Sequence, residues 1–171
     1  MRFIKLFFLS VVILFLVMTA ISLLFPSHLR MSRAVDIMGN KDTVFNNIND
    51  FKKWNLWNDF IINAPLTNKT ISTPSFGSAA FIASDQLKII IGKSSADSII
   101  TSWNQKNGKH FTGGYNLFEL RPGTITVQFY FDFYFRWYPW EKFSSLLYER
   151  EIGTVMEVSL NKLKDISENS K

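Results

Sequence analysis

The stretch Thr124–Trp140, TITVQFYFDFYFRWYPW, constrains this chain more than any other. With a period of two, one face carries Val127, Phe129, Phe131, Phe133, Phe135 and Trp137. The other carries Thr126, Gln128, Tyr130, Asp132, Tyr134, Arg136 and Tyr138. Successive strand side chains point to opposite faces, so this is a strand with one wholly apolar side. At about 3.3 Å per residue it would span roughly 50 Å, longer than common strands, so it must bend or join a strongly curved sheet. A wall of phenyl rings also needs a large apolar partner, which the chain after Pro139 has to supply.

That partner reads as helix in two parts. Phe143, Leu146 and Leu147 fall on one side at 100° per residue, and Ile152, Val155, Met156, Leu160, Leu163 and Ile166 fall nearly opposite. Gly153 lies between the sets, and glycine inside a helix costs about 1 kcal/mol against alanine. The expectation is a short helix over Trp140–Arg150, a break at Gly153 with positive φ, and a longer helix over Thr154–Glu168.

Leu6–Phe25 has no charged residue and only Ser10, Thr19 and Ser22 as polar breaks, which suits a helix crossing the roughly 30 Å hydrocarbon core. A cleaved signal peptide is the competing reading, with small residues at Ala20 and Ser22, but the apolar run continues to Phe25. An uncleaved anchor is expected, with the N-terminus in the cytoplasm and the remainder outside it. The formal charge of +5 fits this picture. Arg2, Lys5, Arg30 and Arg33 precede the first acid, Asp36, leaving fifteen basic against fourteen acidic residues beyond. The basic excess therefore flanks the apolar segment and argues against a nucleic-acid partner. Without cysteine, disulfides and thiolate metal sites are excluded.

From Leu29 the chain alternates as a strand to Ile37, breaks at Gly39-Asn40, and continues as a short helix over Lys41–Asn49. Phe51, Trp54 and Trp57 then form one stripe. Beyond the turn-rich interval Asn63–Gly77, with one short strand near Thr70, come strands at Ala79–Ala83, Leu87–Ile91, Ser98–Trp103 and Phe111–Leu120. Arg121-Pro122-Gly123 joins the last to the phenylalanine strand as a hairpin. The domain plan is an anchor over residues 1–27, a body over 28–168 and a polar tail over 169–171.

SRAVDIMGNKDTVFNNINDFKKWNLWN and GGYNLFEL…PWEKFSSLLYEREIGTVMEVSLNKLKD resemble the polyketide cyclase / START-like (SRPBCC) superfamily, in particular bacterial members with an N-terminal membrane segment. The resemblance spans Leu29–Glu168. It implies an α+β helix-grip fold, a curved antiparallel sheet of about seven strands wrapped around a C-terminal helix, with an apolar cavity between them. Members bind lipids, sterols, polyketides or quinones, act as cyclases, or serve as protein partners, and fold does not choose among these.

The candidate cavity lining is Val127, Phe129, Phe131, Phe133, Phe135, Met156, Leu160 and Leu163, and the candidate entrance is Phe51, Trp54, Trp57 and Trp140. For the first three of these, a plug closing one end of the core is the favoured reading, because buried aromatics usually serve packing. For Trp137, Tyr138 and Trp140 the alternative is a membrane interface. No catalytic set emerges. Gly92-Lys93-Ser94 lacks the glycine of a phosphate loop, because Leu87 stands in its place. His28 and His110 are isolated, so no metal site is expected, and no cofactor. Asp132 belongs to the outer face, Glu157 lies near the edge of the helical stripe, and Glu119, Glu141 and Glu149 form no acid–base pair by spacing. The leading reading is a non-enzymatic module for an apolar small molecule or lipid. A cyclase- or hydratase-type enzyme and a protein-interaction module with a filled cavity are the alternatives.

Overall fold

The structure is a computed structural model that describes residues 2–63 and 67–169, with the backbone alone for residues 144–147. The chain runs α1 (Arg2–Ser22), β1 (His28–Met38), α2 (Lys41–Asn49), α3 (Trp54–Trp57), α4 (Asp59–Ile62), β2 (Thr70–Ile71), β3 (Phe81–Ala83), β4 (Leu87–Ser95), β5 (Ser98–Gln105), β6 (His110–Arg121), β7 (Thr124–Tyr134) and α5 (Pro139–Glu168). Seven strands make one antiparallel sheet in the order β1-β7-β6-β5-β4-β3-β2. Register shifts at Ile91/Lys93 and Glu119/Arg121 mark bulges, which increase local twist. The sheet curls around α5, the helix-grip arrangement, with the apolar helix α1 in front.

The phenylalanine strand occupies the sheet interior, as its apolar face demands. β7 pairs with β1 from Met38↔Thr124 to His28↔Tyr134, and with β6 on its other side. Val127, Phe129, Phe131 and Phe133 are all buried. Burial of side chains this size is worth about 1.5–3 kcal/mol each. The strand ends at Tyr134, short of the expected Trp140, because Pro139 opens α5 and lacks the N–H a ladder needs. Gly113 faces Phe131 across the β6–β7 ladder, and a Cβ there would lie 2.6 Å from the Phe131 ring. Glycine thus leaves the space in which that ring lies.

Two expectations about α5 are overturned. The helix is continuous over 30 residues, and Gly153 is ordinary right-handed helix, not a break with positive φ. Its smallness serves a neighbour. A Cβ at Gly153 would meet Arg33 Nη2 at 2.7 Å, and that guanidinium crosses the helix to donate from Nε to Glu157 Oε1 at 2.7 Å. The apparent change of face is a change of partner. Tyr148, Ile152, Met156, Leu160 and Leu163 form one stripe toward the sheet, while Phe143 turns to the chain just after α1, its ring 5.5 Å from Phe25. The side chains of Leu146 and Leu147, and all of Pro65, lie outside the described residues.

α1 is long and apolar enough to cross a membrane, and its apolar side chains are exposed. Lys142 of α5, itself buried, donates from Nζ to Phe25 O at 2.6 Å and to Ser27 Oγ at 2.8 Å. These bonds tie the chain just after α1 to the start of α5.

Gly153→Ala in an Arg33→Ala background should raise stability by about 1 kcal/mol through helix propensity. In the parent the gain should be smaller, because the displaced guanidinium loses an ion pair worth about 0.2–1 kcal/mol. Chemical unfolding of the four members of this double-mutant cycle measures the difference; equal gains in both backgrounds would show the contact to be inert.

Candidate functional site: an aromatic cavity beneath the closing helix

Two different fillings occupy the hollow of the sheet. Toward the C-terminal end of α5, the segment between β1 and β2 supplies a solid aromatic plug. Asn40 caps α2 by accepting from Asp42 N at 2.7 Å, and Asn58 caps α4 by accepting from Phe60 N. Phe51, Trp54 and Trp57 have no exposed surface. The Trp54 indole donates to Ile48 O at 2.6 Å and the Trp57 indole to Asn47 O at 3.0 Å, satisfying their polar atoms inside the core. Trp54 also packs on Trp103 and Tyr115, and Tyr115 stacks on Phe129 at 4.4 Å between centroids.

Toward the N-terminal end of α5 the filling stops, leaving a cavity of about 700 Å³. Its floor and walls are Phe60, Trp103, Phe111, Phe131, Phe133, Phe135, Tyr148 and Ile152. The rings meet edge-on or tilted: Phe111–Phe133 at 4.9 Å, Trp103–Phe131 at 5.1 Å, Phe133–Tyr148 at 5.2 Å and Phe135–Tyr148 at 5.7 Å. The mouth is polar. Gln105, Asn107, Gly108, Lys109 and His110 from the β5–β6 turn face Tyr134, Arg136 and Glu141. Gly108 has φ of 80°, which closes this turn where a side chain would be strained.

The expected lining therefore divides. Phe131, Phe133 and Phe135 border the cavity. Val127, Phe129, Met156, Leu160 and Leu163 are buried in the core beside it, with the plug against them. Of the expected entrance, Phe51, Trp54 and Trp57 stand in the plug, because their rings fill the opposite end of the hollow. Trp140 is 62% exposed on the first turn of α5, near the mouth but off its lining. Sequence reading missed Phe60, Trp103, Phe111, Tyr148 and Ile152 as lining. Tyr148 was legible, since it stands four residues before Ile152 and eight before Met156 on one helical face.

The ionisable groups at the mouth have these hydrogen-bond partners among the described residues. Lys109 Nζ donates to the Tyr148 hydroxyl at 2.9 Å, His110 Nδ1 meets Asn104 Oδ1 at 2.9 Å, and Glu141 Oε2 accepts from the Arg136 backbone N–H at 2.7 Å. Among the described residues no group of three His, Asp or Glu side chains is placed to hold a metal ion. The strongest charge cluster is on the outer face. Asp132 accepts from Arg30 Nε at 2.8 Å and Nη2 at 2.6 Å, and from the His28 ring at 3.0 Å. The Arg30 guanidinium holds the Asp132 carboxyl below the usual carboxylate range.

No family model matches the chain, and no curated protein matches it in sequence. Solved structures do match in shape. SA2116, a protein of unknown function from Staphylococcus aureus, superposes with a TM-score of 0.62 at 12% identity, over 84% of this chain and 95% of that one. CalU16 from Micromonospora echinospora gives 0.56 at 12% identity, over 83% and 76%. BexL, a di-domain ARO/CYC protein of the BE-7585A biosynthetic pathway, gives 0.59 at 13% identity, over 85% of this chain and 52% of its own. The likeness is one of fold. It places the chain among helix-grip proteins that include polyketide cyclase-like members.

Asp132→Asn should lower stability at neutral pH by about 1 kcal/mol, discounted because Arg30 is largely in water. The folded pKa lies below the unfolded one, so the contribution is complete above the unfolded value of about 3.9. It is lost as pH falls through the lower folded value. Denaturant unfolding of parent and variant from pH 7 downward should begin to converge near about pH 4 and finish only below the lower folded value; a constant difference would rule out a charge effect.

Proposed function

We propose that this protein is a membrane-anchored binding module that holds an apolar small molecule, lipid-like in character, in its helix-grip cavity. The observation that carries the reading is a cavity of about 700 Å³ with aromatic walls and a polar rim. Binding sites for small molecules are typically concave, largely apolar and about 300–1,000 Å³, with a few polar groups setting orientation. The exposed groups Lys109, His110 and Arg136 suit that orienting role at the rim. Among the described residues the apolar floor carries no carboxylate beside them; Glu141 stands with them at the rim. BexL, an ARO/CYC protein of a biosynthetic pathway, carries the same fold.

The anchor is α1, uncleaved, with the N-terminus on the cytoplasmic side and the sheet outside it. The apolar run through Phe25 motivates this, and the bonds from buried Lys142 to Phe25 and Ser27 would hold the body close to the end of that helix. The body over residues 28–168 is the binding part, and no nucleic acid enters this account. Phe131 and Phe133 of β7, with Phe135 just beyond its end, are the residues of this stretch that would touch the occupant.

Full-length protein in mild detergent should bind a naphthalene-type fluorescent probe. Phe129→Ala, in solid core, should cost about 3–5 kcal/mol, whereas Phe135→Ala, on the open wall, should cost clearly less and change probe affinity. Phe133→Trp should shrink the cavity and weaken the probe while the protein stays folded. No probe bound by the parent, with core-sized losses at both positions, would sink this reading.

A further inference from the structure

The cavity mouth and the membrane exit of the chain lie at the same place. α1 has 21 residues, so at about 1.5 Å each it spans roughly 31 Å, the thickness of the hydrocarbon core. Its last residue, Ser22, then sits at the boundary, and the next few residues cross a headgroup layer only about 5–8 Å deep on each side. Within those few residues the chain is already bonded to the cavity rim. Ser27 O accepts from Phe135 N at 2.8 Å, His28 pairs with Tyr134, and Phe135, Tyr134 and Arg136 all line the cavity. Lys142 adds its grip on Phe25 and Ser27, so the body cannot swing far from the exit point.

The same end carries large apolar side chains in the open. Leu23, Leu24, Tyr134, Trp137 and Trp140 are exposed, at 67%, 84%, 73%, 55% and 62%. Tyr138 stacks on Trp140 with centroids 5.0 Å apart, and Trp137 leans on Tyr138 at 4.8 Å. An exposed cluster rich in indole and phenol rings, close to the chain leaving a helix long and apolar enough to cross a membrane, matches the headgroup level of a bilayer, where such rings are favoured. Lys109 and Arg136 at the rim add charge complementary to lipid phosphate.

We infer that Trp137, Trp140, Tyr134 and Leu23-Leu24 form a lip seated in the headgroup layer, through which the acyl chain of a membrane lipid enters the cavity directly from the bilayer. This deepens the binding reading and rests on it. The occupant reaches Phe135 and Tyr148 first, with its polar head held back at Arg136 and Lys109. Water-soluble ligands would have to pass the same rim from the bilayer side.

The chain has no cysteine, so single introduced cysteines label uniquely. Full-length Trp137→Cys and Leu120→Cys, the latter on the exposed β6–β7 hairpin, are labelled with a fluorophore. Each is placed in phosphatidylcholine vesicles containing phosphatidylglycerol and headgroup-spin-labelled lipid. The label at position 137 should be quenched and that at 120 should not. In vesicles carrying a diazirine-acyl phosphatidylcholine, illumination should cross-link peptides containing Phe111, Phe133 or Tyr148. Trp137→Asp/Trp140→Asp should cut that yield by about tenfold, since a carboxylate is disfavoured where an indole is favoured, while naphthalene-probe binding in detergent persists. Equal quenching at 137 and 120 overturns the lip even if the probe binds. Quenching at 137 with neither cross-link nor probe binding overturns the occupant, and with it the binding reading, while supporting the docked lip.

Discussion

The burial of the phenyl face of β7 under α5 is the interaction on which the remaining structure depends. A strand that presents Val127, Phe129, Phe131 and Phe133 on one side must be flanked on both edges and covered, and β1, β6 and α5 do this. Because β1 and β7 are far apart in sequence, their pairing forces the meander between them to curl back around the helix. The hollow of the sheet follows from that closure.

What fills the hollow differs along α5. The helix presents a single stripe to the sheet, yet at one end it meets the Trp54–Trp57 plug and at the other it borders the cavity. Interiors pack close to crystal density, so a void of this size persists only where no side chain reaches. The plug comes from the chain between β1 and β2, and its rings reach no further than Phe60, which stands edge-on to Phe131 at 5.5 Å. On the far side, Lys109 donates to the Tyr148 hydroxyl across the cavity rim.

The start of α5 joins three features in one place: the chain leaving α1, the end of β7 and the cavity mouth. Phe25 and Phe143 make a ring contact there, Lys142 is buried there, and Pro139 turns the chain from strand to helix. A buried lysine is costly unless its ammonium is hydrogen-bonded, and Lys142 finds carbonyl and hydroxyl oxygens just after α1. Such a lysine makes the joint specific in geometry as well as apolar.

Local patterns in the sequence determined the period-two face of β7, the apolar run of α1, the meander and the outer position of Asp132, because each depends on residue spacing alone. Tyr148 was also open to reading, through its spacing of four from Ile152. Gly153 was not. Glycine inside a helix looks like a break until Arg33, brought across from β1, is seen to need the room. The division of the aromatics into plug and cavity wall was equally beyond the sequence. Phe129 and Phe133 share one parity and one residue type, yet Phe129 meets Tyr115 while Phe133 borders open space. Only tertiary structure decided that, because a void is set by how far side chains from distant segments reach.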